Sequence, residues 1–241
     1  MDTHESGMLA VVTGAAGGLA PAVALRFARA GYRLALVTRP GREASVRATL
    51  EAVRAAAGPD AAAAYGADLT SAATTRQLMA AVEEAQGPVE ALLNLAGGFS
   101  MGRASEVDAD GFERMLDVNL RTAVNATTAV LPRMLPRGRG FVAAVAANAV
   151  ISPSPGTTAY AASKGAVASY FRSLAAEVGK DGVNVALVLP AAAIDTPANR
   201  AAMPNADAAN WVDPEALAEA LLFLATRPPR GRVHEMVVSP R

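Results

Sequence analysis

Short apolar runs alternate with longer stretches of helical composition from one end of this 241-residue chain to the other. The runs fall at 9–13, 33–38, 61–67, 91–96, 141–146, 184–190 and 233–238. Each is too short for a stable helix and lacks the polar alternation of a half-exposed strand, so each suits a strand covered on both faces. Between them lie 18–30, 42–57, 71–86, 112–135, 158–178 and 214–226, dominated by alanine, leucine and other good helix formers. Strict alternation of this kind implies parallel strands joined by right-handed helical crossovers. The expected fold class is α/β: one domain over 1–241, built on a doubly wound parallel sheet of about seven strands with helices on both faces. A hydrophobic content of 52% is enough to fill such a core, and no linker, composition break or repeat divides the chain. The stretch 191–210, with two prolines and three asparagines, shows no regular pattern. A loop that long in a compact domain is usually functional, and it follows the C-terminal end of a strand, where open α/β sheets bind ligands.

Two clusters carry chemistry. The first run passes into Gly14-Ala15-Ala16-Gly17-Gly18-Leu19-Ala20 and then into a helical stretch. A strand, a Gly-rich turn and a helix N-terminus present backbone N–H groups and the positive end of the helix to an anion such as a pyrophosphate. Gly14 permits the tight turn, and Gly18 lets the backbone approach the phosphates. The second cluster is Tyr160 and Lys164, four residues apart on one face of the helix expected at 158–178. Lys164 is one of only two lysines among 22 basic residues, so it is not a default surface cation. An ammonium beside a phenol favours the phenolate and is expected to lower its pKa from about 10. That suits a tyrosine exchanging a proton with an alcohol or carbonyl. The plain alternative is a solvated Tyr–Lys pair, against which the anion site near the N-terminus argues.

Composition narrows the rest. Zero formal net charge gives no argument for nucleic acid or an anionic membrane as partner. The absence of cysteine excludes disulfides, thiolate metal sites and a cysteine nucleophile. With only His4 and His234, no histidine metal cluster or catalytic triad is expected, and both histidines read as bland. There is no basic leader followed by an apolar stretch and no apolar run of membrane-spanning length, so a soluble, cytoplasmic protein is expected. Asn125-Ala126-Thr127 matches a glycosylation acceptor, and without a secretion signal it reads as chance.

Taken together, the chain resembles the short-chain dehydrogenase/reductase family over essentially its whole length, which implies a Rossmann-type sheet. Thr13-Gly14-Ala15-Ala16-Gly17-Gly18-Leu19-Ala20 is similar to that family's Gly-rich loop, with Ala20 in place of its third glycine. Asn94-Leu95-Ala96-Gly97 resembles its N-N-A-G turn, and Asn119 falls where it carries a helix asparagine. Tyr160 and Lys164 complete the set, followed by Pro190, with Ala191 replacing an expected glycine. The resemblance implies a nicotinamide dinucleotide bound by Gly14, Ala16, Gly18 and Leu19 at the first turn. Thr38 and Arg39 would lie at the second strand, Asp68 and Leu69 after the third, and Asn94, Ala96 and Gly97 after the fourth. Tyr160 and Lys164 would meet the nicotinamide end, as would Pro190, the backbone of Ile194, and Thr196. Tyr160, Lys164 and Asn119 would be catalytic: the tyrosine as proton donor, the lysine tuning it and binding the ribose, and the asparagine holding a water that joins Lys164 to solvent. Asp68 could equally serve as a helix cap.

One departure stands out. The family's catalytic serine lies 13 residues before the tyrosine, and that position here is Ala147. Losing a preorganised donor costs on the order of 10²–10³ in rate when nothing compensates. Three readings follow: an enzyme using another donor, such as Asn148, Ser152, Ser154 or Thr157; an enzyme whose substrate needs none; or a cofactor-binding protein without redox activity. Ala147 with Pro155-Gly156, Tyr160 and the segment from Asp195 to Trp211 is similar to the dihydropteridine reductase branch, whose substrate is a conjugated quinonoid ring. The substrate is thus expected to contact Ala147, Asn148 and Ser154 and to be a carbonyl, quinone or quinonoid small molecule. A non-redox lyase or epimerase on the same fold is a further alternative.

Cofactor preference follows from charge. The second strand ends Val37-Thr38-Arg39-Pro40, without the acid that usually binds the 2′-hydroxyl of NAD. Arg39, helped by Arg42, suits the 2′-phosphate of NADP, so NADP(H) is preferred and NAD(H) possible; a solvated arginine is the plain alternative. The resemblance also implies a homodimer or homotetramer, paired through 112–135 and 158–178.

Overall fold

The structure, a computed structural model, describes residues 7–152 and 154–240; His4 lies outside them. Seven parallel strands form one sheet: β1 (Leu9–Thr13), β2 (Arg33–Thr38), β3 (Ala62–Gly66), β4 (Val89–Asn94), β5 (Gly140–Val145), β6 (Val183–Pro190) and β7 (Glu235–Val238). Their order across the sheet is β3-β2-β1-β4-β5-β6-β7. The eight α-helices among the described residues are α1 (Ala20–Arg29), α2 (Arg47–Ala57), α3 (Ala72–Gln86), α4 (Ala109–Leu116), α5 (Thr122–Arg137), α6 (Thr158–Val178), α7 (Pro197–Ala202) and α8 (Pro214–Ala225).

The strands are buried on both sides because successive side chains point to opposite faces and each face carries helices. Leu9, Val11, Leu92 and Val142 face one way and pack with Met79 of α3, Val130 of α5 and Phe171 of α6. Ala10, Val12, Leu36 and Leu93 face the other and pack with Phe27 of α1, Val53 of α2 and Leu221 of α8. From β1 the chain builds outward to β3, then crosses back so that β4 pairs with β1 on its free side. The loops after β1 and β4 therefore part in opposite directions and leave a crevice at the strands' C-terminal ends.

Several segments differ from expectation: the helix expected at 42–57 opens as a 3-10 turn at Glu43–Val46 before α2, and β4 ends at Asn94, not 96. The single helix expected at 112–135 is α4, a π-helical turn at Asp117–Arg121, and α5. The patternless 191–210 contains α7, capped by Thr196 with Pro197 in its first turn, and a short 3-10 turn at Ala208–Asn210. The last strand begins at Glu235, not 233, because Val233 lies beyond the pairing with β6. No helix among the described residues is long and apolar enough to cross a membrane.

Candidate active site

β1 and β4 are locked together where they end. Gly14 has φ +66°, and a Cβ there would lie 2.6 Å from the backbone of Ala96. The two turns thus touch with no room for a side chain. The buried hydroxyl of Thr13 accepts hydrogen bonds from Leu95 N and Ala96 N, both at 3.2 Å. Ala15 N donates to Val37 O at 2.9 Å, fixing the same turn to β2. Ala16, Gly17 and Gly18 stay exposed, and Leu19 is buried as the N-cap of α1. That cap supplies no side-chain acceptor, and the first turn of α1 carries no acid. The helix dipole is thus uncompensated by any acid; Ala20 N donates to Gly17 O at 3.2 Å and Pro21 carries no N–H, so the open donors an anion needs are those of Gly18 and Leu19 in the turn itself. A Cβ on Gly18 would lie 2.7 Å from Thr196 Cβ, so the turn before α7 closes over the same edge. There Thr196 Oγ1 accepts from Asn199 N at 3.2 Å, and Asn199 Nδ2 donates to Ile194 O at 2.8 Å. Pro190 is buried at the end of β6. This cradle of close backbones and open N–H groups fits a dinucleotide.

Tyr160 and Lys164 lie one turn apart on α6, and groups from separate elements tie them in place. Asn119 sits in the π-helical turn, 1% exposed. Its Oδ1 accepts from Gly98 N at 3.0 Å, and its Nδ2 donates to Gly98 O at 3.1 Å and to Ser163 Oγ at 3.0 Å. Ser163 Oγ in turn donates to Tyr160 O at 2.7 Å. The loop after β4, the π turn and the start of α6 are therefore one hydrogen-bonded block. Lys164 Nζ donates to Val145 O at 2.9 Å, at the end of β5. A Cβ on Gly97 would lie 3.4 Å from that nitrogen and 2.7 Å from Asn119 Oδ1, so the three residues share one space.

The electrostatics differ from expectation. Burial pushes the Tyr160 phenol up to about 12 and the Lys164 ammonium down to about 8. The i,i+4 spacing predicts a lowered phenol, but the ammonium is spent on Val145 O and the cost of burying a phenolate wins. The Phe99 ring contributes to that burial, meeting Tyr160 edge-on with centroids 4.8 Å apart.

The other expected residues scatter around this centre. Thr38 is buried at the end of β2, and Arg39 and Arg42 stand exposed beyond it with no acidic partner among the described residues. Asp68 is exposed; its carboxylate accepts from Thr70 N at 2.9 Å and Thr70 Oγ1 at 2.7 Å, while Ser71 caps α3. Leu69 is buried, and its carbonyl is held by Asn125 Nδ2 at 2.9 Å. The Asn94 side chain turns into the sheet, donating to Ala143 O at 3.2 Å, which suits it to holding β4 against β5. Ala147 is buried in extended backbone. Asn148 is half-buried and Ser154 exposed, and neither side chain makes a hydrogen bond among the described residues. Thr157 is committed, donating to Ser154 O at 2.6 Å. Phe99 lies in the 98–103 segment expected to line the pocket, whereas the parts Ser163 and Thr13 play carry no sequence signal, because their partners lie far away in the chain. His234 lies remote from the site, with Nδ1 2.9 Å from Val185 O. A concavity of about 590 Å³ bounded by Tyr32, Arg33 and Pro59 lies at the opposite ends of the strands. Among the described residues no group of three or more His, Cys, Asp and Glu could hold a metal.

Comparison with known proteins converges on one family. Residues 8–207 match the family described as short chain dehydrogenase. A short chain dehydrogenase of Pseudocercospora fijiensis is 35% identical over 179 residues, which make up 73% of this chain and 57% of that relative. The chain thus spans little more than half that relative's length. Among solved structures, a protein of Burkholderia xenovorans assigned to the short-chain dehydrogenases/reductases superposes with a TM-score of 0.88 at 30% identity, covering 98% of this chain and 96% of that one. A metagenomic short-chain oxidoreductase in complex with NADP gives a TM-score of 0.84 at 26% identity, covering 98% of both chains.

Proposed function

Because the chain belongs to the short-chain dehydrogenase family of oxidoreductases, we propose that it is an NADP(H)-dependent enzyme that reduces a carbonyl, quinone or quinonoid small molecule, with Tyr160 as proton donor and no catalytic serine. The observation that carries this reading is the block of half-buried Tyr160 with buried Ser163, Asn119 and Lys164 beside the Gly-rich turn.

Gly14, Ala16, Gly18 and Leu19 would hold the pyrophosphate, with Asp68, Leu69 and Ala96 along the adenosine side. Thr196 and the backbone of Ile194 would meet the carboxamide. Exposed Arg39 would pair with a 2′-phosphate, and the NADP found in the metagenomic neighbour agrees with that choice. Bound there, NADPH supplies a hydride, so that with one proton from Tyr160 a ketone leaves as an alcohol and a quinone as a hydroquinone. A phenol held near 12 keeps its proton at neutral pH, so Tyr160 is poised as an acid and not as a base. Lys164, lowered to about 8, remains mostly charged at pH 7 and can stabilise the phenolate left after transfer. Asn119, through Ser163, holds the backbone of Tyr160 in place. Ala147 offers no hydroxyl to the substrate oxygen, which favours a substrate whose developing charge is delocalised, as in the quinonoid ring of the dihydropteridine reductase branch. Association into a homodimer or homotetramer through 112–135 and α6 is part of the same reading.

Ala147 also keeps a second reading in play: a protein that binds NADP(H) for regulation or for lyase or epimerase chemistry. A screen of NADPH oxidation across ketones, quinones and quinonoid pterins separates the two. Consumption with at least one class supports the reductase, and consumption with none overturns it.

A further inference from the structure

We propose that Phe99 is the specificity-determining residue of this site and selects a neutral, flat, conjugated ring as substrate; the inference rests on the reading of Tyr160 as the reacting phenol. Phe99 is 60% exposed, yet it is far from loose. Its ring meets that of Tyr160 at an interplanar angle of 78°. The residue before it, Gly98, is gripped at both N and O by the Asn119 carboxamide, and a Cβ there would lie 3.2 Å from Val118 Cγ2. An aromatic side chain is thus held in the open, against the reacting phenol, by the same asparagine that positions the tyrosine.

Three more large apolar side chains are exposed on the segments that follow the same strand ends. Met101, Ile151 and Met203 are 68%, 53% and 38% exposed, and they come from the three segments that follow β4, β5 and β6. Gly102 N donates to Gly156 O at 2.9 Å, tying the first of these segments to the second. Large apolar side chains exposed singly are ordinary, but four on the segments that follow β4, β5 and β6 offer apolar contact to a ligand at the strands' C-terminal ends. The charges in these segments are largely committed. Asp195 and Arg200 are paired at 2.6 and 2.8 Å, and Asp207 accepts from Ala209 N at 3.0 Å, leaving Arg103 and Glu106 among the described residues. Ala147 adds a methyl where a hydroxyl would have favoured an isolated ketone oxygen. A flat ring can meet the Phe99 edge or face and lie along thioether and aliphatic groups, both favourable for a conjugated π-system and of little use to a small acyclic carbonyl.

Menadione as ring probe and diacetyl as acyclic probe test this in Phe99→Ala, Phe99→Leu and Phe99→Tyr. Calorimetric binding of menadione to the NADP⁺-loaded protein is expected to weaken about tenfold in Phe99→Ala, less in Phe99→Leu, and to stay within about twofold in Phe99→Tyr. The ratio of kcat/KM for menadione over diacetyl is expected to fall about tenfold in Phe99→Ala. Circular dichroism melting confirms that each variant is folded. Menadione binding within about twofold of wild type in Phe99→Ala, or no binding by the wild type, overturns the inference. Binding that depends on Phe99 without any NADPH consumption supports the inference and overturns the reductase reading alone.

Discussion

Three side chains carry the proposed chemistry, and each can be moved separately. Arg39 stands exposed without an acid to neutralise it, so NADPH is expected to bind at least tenfold tighter than NADH, about 1.4 kcal/mol. Arg39→Asp should reverse the order by placing a carboxylate against the 2′-phosphate, and titration of both cofactors reads this out. Lys164 titrates near 8 when folded and near 10.5 when not, so between those values the unfolded chain binds a proton that the folded one lacks. The stability contributed by this site therefore rises with pH across that window. An anionic ligand whose ribose hydroxyls accept from Lys164 draws its pKa back up, so NADPH binding should take up a proton near pH 8 to 9. Calorimetry in two buffers of different ionisation enthalpy measures that uptake, and it should vanish in Lys164→Met. Ala147→Ser would place a hydroxyl in an apolar site. If the site is adapted to a delocalised substrate, quinone reduction should stay flat or slow, because an unpartnered hydroxyl costs about 1–3 kcal/mol. A gain of about 10²-fold on simple ketones, with no activity on quinones or quinonoid pterins, would instead mark Ala147 as a damaged ketone site.

At the level of elements, the site depends on turns held by single polar groups. Thr13 Oγ1 accepts from both Leu95 N and Ala96 N, so Thr13→Val, close in shape, should destabilise the protein by roughly 2 kcal/mol and loosen NADPH binding. Urea unfolding and cofactor titration check the two effects together. Such ties explain what could be read from the chain and what could not. The alternation of apolar and helical stretches was enough to place all seven strands within two residues at either end, because burial on both faces leaves an unbroken apolar run. The π turn at Asp117–Arg121 was illegible, since its residues are ordinary helix formers and only the pull of Asn119 toward Gly98 and Ser163 marks it. Thr196-Pro197 did carry the start signal of α7, but six residues are too few to show a period. The spacing of Tyr160 and Lys164 located the pair correctly and gave the wrong sign for the phenol, because desolvation depends on neighbours such as Phe99 that lie far away in sequence.

For the whole molecule, the strand order brings the Gly-rich turn, the β4 turn and the Tyr160 block to one edge of the sheet, while two apolar layers hold that edge rigid. A phosphate cradle alone would serve a binder; a buried acid with its own cation and positioning network serves proton transfer. The rate of NADPH oxidation with menadione, in wild type and Tyr160→Phe, discriminates between these directly. The wild type should turn over, and Tyr160→Phe should lose at least about 10²-fold while binding NADPH within a few-fold of wild type. Undiminished turnover in Tyr160→Phe would contradict the assignment of Tyr160 as the proton donor.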